Sequence, residues 1–366
     1  MKTWSWILLS CLYLVNSTEE EKNLAPLQWK GGLTKMDETG RKAYNGLTTR
    51  AQISDDVVFL CNPRLKPGIE ATLLKVSMYP NDEDTDGISM EPFPNLKFQT
   101  EGDCECLQSA VDLYLDHEDI LWVLDVGVTF SAHSQPTARC PPKVVGFNIH
   151  NGKAEKVISL ANMVGPMSRL QFIVCDHSTE GKRFLYIADA GTKSIIVWDV
   201  ENNKGVRVAL PENVLAEFSA RDVLYIALIR RQSGNNLLYF TYRSGENLFR
   251  IEAKHLQTEA STAKASDVGK KPSKMIILGT DEWESIYFRY ENKADVYKWN
   301  TNDAFNEKNF EVVHRCDGTL VPTHAIPDYK RGVMKMVESN LLQFLAKDVT
   351  PADAINSLTV MTIPTD

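Results

Sequence analysis

FLYIADAGTKSIIVWDV, residues 184–200, decides the fold. Two β-prone apolar runs flank the polar turn Ala190-Gly191-Thr192-Lys193, the arrangement a hairpin requires. Working outward, comparable units stand on both sides. Upstream lies ILWVLDVG (120–127) followed by KVVGFNI (143–149); downstream lie NLLYFTYRSGENLFRI (236–251) and SIYFRYENKADVYKWN (285–300). Several close on an aromatic residue followed by Asn or Asp. Six strand-rich runs recur at intervals of roughly 45 to 60 residues, a periodicity that marks a β-propeller. One such unit cannot bury both of its faces. Several packed radially cover one another and leave a central channel, where ligands usually sit. The expected fold class is therefore all-β, a six-bladed propeller.

LAPLQWKGG (24–32) reads as a lone strand that completes the last blade and closes the ring. The first blade is expected over 51–77, with the acidic, Pro-containing stretch 80–103 as an inter-blade loop. The second, third and fourth blades follow at 107–160, 170–210 and 221–256. Residues 257–273, rich in Ser, Thr, Ala and Lys, read as a flexible insertion. A short fifth blade spans 275–301, and the sixth runs from 320 to 345 with strands at 333–337 and 341–345. A helical turn at Pro351 and a last β-prone run at 358–363 end the chain.

Met1-Lys2, an apolar stretch over 4–15 and then Asn16-Ser17-Thr18 read as a secretory signal peptide cleaved after Ser17, too short to cross a bilayer. This divides the chain into a leader, 1–17, and a single propeller domain, 18–366, expected outside the cell. No later segment is long and apolar enough for a membrane span. A net charge of −8 argues against a nucleic-acid partner, which would draw on clustered Lys and Arg. The basic residues around 264–274 read as a solvated loop.

Of seven cysteines, Cys11 leaves with the leader. An even set remains, Cys61, Cys104, Cys106, Cys140, Cys175 and Cys316, and in a secreted chain it favours disulfides. Cys104 and Cys106 are poor partners for each other, because side chains two apart in an extended segment share a face. Cys-x-Cys also lacks the spacing of a zinc site. Neither a metal nor a cofactor is expected.

There is no Gly-x-Ser-x-Gly elbow, no His-Glu-x-x-His, no phosphate-cradling glycine loop and no dinucleotide fingerprint. His117, His133, His150, His177, His255, His314 and His324 are scattered along the chain and read as surface residues. Asp82-x-Asp84-x-Asp86-Gly87 opens like a calcium loop, but its twelfth position is Phe93 in place of the closing Glu, so it reads as a solvated acidic loop. Asp125 and Asp189 end apolar strands at equivalent places. There they cap the following turns or, if they face the channel, attract a cationic ligand. Trp122, Trp198 and Trp299 read as packing between sheets.

Five segments in order resemble the insect yellow and major royal jelly protein family, over about residues 24–345. They are NPRLKPGIEATL (62–73), LWVLDVG (121–127) with CPPKVVGFNI (140–149), the 184–200 hairpin, LLYFTYRSGENLFRI (237–251) and DVYKWNT (295–301). The resemblance implies a secreted six-bladed propeller with a ligand channel, acting in cuticle pigmentation, eggshell or glandular fluid. It also implies biogenic-amine binding, as in salivary members, at positions that fall on Thr323, Asn340 and Leu342. Leu342 stands where those relatives carry an aromatic residue. Glu118 and Lys298 stand where relatives carry Cys, which implies a bridge rewired from Cys104 or Cys106 to Cys140. The fifth blade is expected to lack a strand between Leu278-Gly279 and the following IYF run.

The function so implied is a secreted, non-catalytic protein that holds a small aromatic amine or catechol, or no ligand. The site is expected near Thr323 and Asn340, with Asp125 or Asp189 as electrostatic partners. The alternative is a dopachrome-converting isomerase, which needs a general base within hydrogen-bond reach of the bound ring.

Overall fold

The computed structural model describes residues 27–30, 45–79, 90–132, 135–214, 222–258, 264–316, 318–346 and 349–361. Within them the 184–200 hairpin forms as read. Arg183–Asp189 pairs antiparallel with Ser194–Asp199, and Leu170–His177 and Lys204–Ala209 extend the sheet on either side. This is the third of six four-stranded sheets. The first blade is Arg50–Ser54, Val57–Cys61, Leu73–Ser77 and Met90–Pro92; the second is Ala110–Leu115, Ile120–Asp125, Lys143–Asn148 and Ala154–Ser159. Leu224–Ile229, Leu237–Tyr242, Asn247–Glu252 and Ser266–Lys270 make the fourth, and Met275–Thr280, Ser285–Tyr290, Val296–Asn300 and Phe310–His314 the fifth. The sixth takes Val321–Asp328, Val333–Ser339 and Ile355–Val360 and is completed by Leu27–Lys30, which pairs antiparallel with Ile355–Val360. The first strand of each blade packs against its counterparts in the two neighbouring blades, closing a ring. The fold is a six-bladed β-propeller.

Alternation along each strand explains why the ring is stable only as a ring. In the third blade Tyr186, Ala188, Ile195 and Val197 pack against the fourth blade, while Leu185, Ile187 and Ile196 pack against the second. An apolar cluster fills each of the six seams between blades. Trp122 and Trp299 lie inside these seams, both 1% exposed. Glycine makes room for two indoles. Gly146 is the register partner of Trp122 and Gly205 of Trp198, and a Cβ at either would stand within 2.8 Å of the ring.

Several boundaries differ from the sequence reading. The fourth strand of the first blade, Met90–Pro92, lies inside the expected inter-blade loop, and Ser266–Lys270 lies inside the expected insertion. Both are outer strands with one face in water, so the apolar signal is faint. The fifth blade lacks nothing. Its first strand contains Leu278 and Gly279, and its fourth is Phe310–His314. Leu341–Leu345, expected as a strand, is a short helix in which only Phe344 is buried.

Among the described residues one disulfide is formed, between Cys104 and Cys140. Cys61, Cys106, Cys175 and Cys316, expected among the bridged set, are thiols, the first three buried. The expected leader with Cys11, the acidic motif 82–87 and His133 lie outside the described residues. None of the described helices is long and apolar enough to cross a membrane.

Candidate functional site in the central channel

All six innermost strands line one cavity, part of it open to solvent. A side chain facing it sits at alternate positions of a strand whose other face is held by the neighbouring blade. Arg50 reaches in from the first blade. Its guanidinium lies 4.5 Å over the Phe172 ring of the third blade, donates to the Leu278 carbonyl of the fifth at 3.2 Å and approaches Asp112 of the second at 3.7 Å. Phe172 stacks on Tyr225 of the fourth blade, with ring centroids 5.2 Å apart. From the sixth blade comes His324, whose Nδ1 accepts the Ala51 backbone N–H at 3.1 Å. That bond leaves the ring proton on Nε2. Burial, reinforced by Arg50, holds the imidazole well below its ordinary pKa and so uncharged.

Of the two carboxylates that line the cavity, Asp112 and Glu282, Asp112 is the one beside Arg50. One oxygen accepts the Ile173 N–H at 2.8 Å. Burial pushes its carboxyl up to about 6 despite the opposing pull of Arg50. The centre of the channel thus offers a stacked aromatic pair, a guanidinium, a neutral imidazole and one weakly acidic carboxyl.

A second network links the blades at the end of the channel where the innermost strands turn into their hairpins. Tyr114 of the second blade donates to Glu282 of the fifth at 2.6 Å, and Arg230 of the fourth donates to both at 2.6 Å and to the Cys175 carbonyl of the third at 2.9 Å. Burial first, then the Glu282 charge, push the Tyr114 hydroxyl well above its ordinary pKa, so it stays a donor. Glu282 holds φ at +71°, a left-handed conformation unfavourable for a side chain with a Cβ. Four blades are tied together here.

The residues expected from sequence stand elsewhere. Asp125 is fully buried, accepts the N–H groups of Gln108, Ser109 and Gly127 and pairs with Lys143 at 3.2 Å. Asp189 accepts the N–H groups of Arg169 and Thr192 and pairs with Arg207. Both cap the entrance to their blade's first strand and the following turn; neither lines the cavity. Thr323 donates to the Val337 carbonyl, the Asn340 amide bridges Asp353 and Ile355, and Leu342 is 61% exposed on its helix. Thr323, Asn340 and Leu342 do not line the cavity either. The histidines are less scattered than their spacing suggests, since His324 is in the channel wall and His117 meets His177.

Comparison with known proteins places this geometry. Among solved structures, an α-L-arabinanase from Penicillium chrysogenum complexed with arabinobiose superposes with a TM-score of 0.52 at 10% identity, covering 92% of this chain and 98% of that one; the likeness shows the fold alone. Major royal jelly protein 9 of Apis mellifera is 22% identical over 308 residues, covering 75% of this chain, and the chain spans 66% of that protein's length. A yellow-related salivary protein of Phlebotomus perniciosus is 22% identical, with 70% of this chain and 69% of that one covered. Protein yellow of Drosophila yakuba is 24% identical, with 95% and 70% covered. The family described as major royal jelly protein matches residues 108–362, more than half of the chain, and the protein belongs to this yellow and major royal jelly protein family.

Proposed function

We propose that the protein is a secreted, non-catalytic binding protein of an extracellular fluid or layer, and that its ligand is a small aromatic amine or catechol held in the central channel. The observation that carries the reading is the Phe172–Tyr225 pair facing the cavity beside Arg50, Asp112 and the His324 Nε2–H. Aromatic walls with a few convergent polar groups are what small-molecule sites are made of. Arg50 and His324 supply donors for ring hydroxyls, and Asp112 an acceptor for a hydroxyl or ammonium group. The acidic and basic groups are committed to the wall. Asp112 accepts a backbone N–H beside Arg50, and His324 Nδ1 accepts another, which favours holding a ligand over turning one over. The names of relatives, royal jelly and salivary proteins, and the Cys104–Cys140 bridge support an extracellular setting.

Titration of the purified protein with dopamine, serotonin and dopachrome, followed by heat and by absorbance, tests the reading. Saturable heat with at least one of them, and dopachrome absorbance decaying no faster than in buffer, is the expected result. Accelerated decay would instead make it an isomerase.

A further inference from the structure

The hairpin face of the propeller carries a second cluster outside the channel. His117 and Glu118 stand on the turn between the first two strands of the second blade, and His177 ends the first strand of the third. The two imidazoles lie with centroids 3.8 Å apart and planes tilted by 41°. One ligand atom from each of His117, Glu118 and His177 lies within 4.8 Å of the others. Both ring nitrogens of His177 are closed off from solvent and, among the described residues, have no hydrogen-bond partner. An imidazole carries one donor and one acceptor, and leaving either buried and unmatched is unfavourable. A cation at the lone pair would relieve that cost.

Two further candidate ligands flank His177. Asp116 is already committed, since its oxygens accept the N–H groups of Glu118 and Ile120 and the Trp122 indole N–H. Cys175 is a buried thiol on the same strand, two residues before His177. Glu118 lies at the surface, paired with Arg183, which keeps Glu201 as a partner if Glu118 turns away. Two imidazoles and a carboxylate with an open side form the donor set of a borderline dication such as zinc.

We propose that His117, His177 and Glu118 bind a zinc-class divalent cation, clipping the second blade's turn to the third blade. The site is independent of the channel. Calorimetric titration of the chelator-stripped protein with zinc chloride tests it, alongside thermal melts with and without zinc. Saturable binding and a melting temperature raised by zinc are expected. Losing even an outer-sphere partner of a metal costs about 10- to 100-fold in affinity. His117→Ala and Glu118→Ala, both on an exposed turn, should weaken binding at least that much, as should His177→Ala if it folds. His255→Ala, on an exposed helix of the fourth blade, and Cys175→Ser should leave it unchanged. Absence of saturable binding, binding that survives His117→Ala, or binding lost in Cys175→Ser would overturn the assignment.

Discussion

Arg64 is 2% exposed and donates to five backbone carbonyls, those of Ile69, Glu70, Gln99, Leu107 and Gln108. Its planar fork ties the loop after the second strand of the first blade to the segment leading into the second blade. Lysine has three donors on one atom and cannot span them. Each buried carbonyl left unmatched costs about 1 to 3 kcal/mol, so Arg64→Lys should lower stability by roughly 3 kcal/mol or more in urea unfolding. A loss below about 1 kcal/mol would mean the carbonyls find other partners.

Asp112 makes the opposite kind of statement. Its carboxyl titrates near 6 when folded, against about 3.9 in an unfolded chain, so between those values the native state holds a proton that the unfolded state has released. Stability from this group therefore falls as pH rises through the window, and the penalty is complete above about 6, roughly 3 kcal/mol. Asp112→Asn cannot ionise. Its stability relative to the wild type should rise from pH 4 to pH 7, whatever constant offset the lost Arg50 partner adds. An offset that is the same at both ends would show that the Asp112 charge is not buried in the way described. In the sequence, Asp112 and His324 gave one legible sign, a polar residue at an alternating position within an otherwise apolar strand. Nothing local shows that they meet, because Arg50, Asp112, Phe172, Tyr225 and His324 come from five different blades.

At the scale of elements, what was readable depended on burial. Second strands such as Ile120–Asp125, buried at every position, stand out as continuous apolar runs. Outer strands do not. Ser266–Lys270 has no buried residue and Met90–Pro92 has one, so both were lost in loops. LLQFL misleads in the other direction, being apolar enough for a strand while it forms a helix with Leu342 and Leu345 exposed. The Cys104–Cys140 bond pins the segment before the second blade's first strand to the connection between its second and third strands, a separation of 36 residues. Closing a loop of that size in the unfolded chain stabilises by about 3 to 4 kcal/mol, so Cys104→Ser should lower the melting temperature measurably. An unchanged melt would place that segment outside the cooperative unit.

For the whole molecule, periodicity was enough to count the blades, because each seam needs apolar faces from both neighbours and leaves its repeat in the chain. The channel was not readable, because it belongs to no repeat. Its chemistry arises only when six first strands, each unremarkable alone, face one axis. At its hairpin end Tyr114, Glu282 and Arg230 tie the blades together, and the aromatic pair stands deeper along the same wall. Titrating the Phe172→Ala protein with whichever amine or catechol binds the wild type tests this most directly. Stacking contributes about 0.5 to 1.5 kcal/mol beyond burial, so the variant should keep its fold and bind at least severalfold more weakly. Wild-type affinity in a folded Phe172→Ala protein would contradict a ligand in the channel.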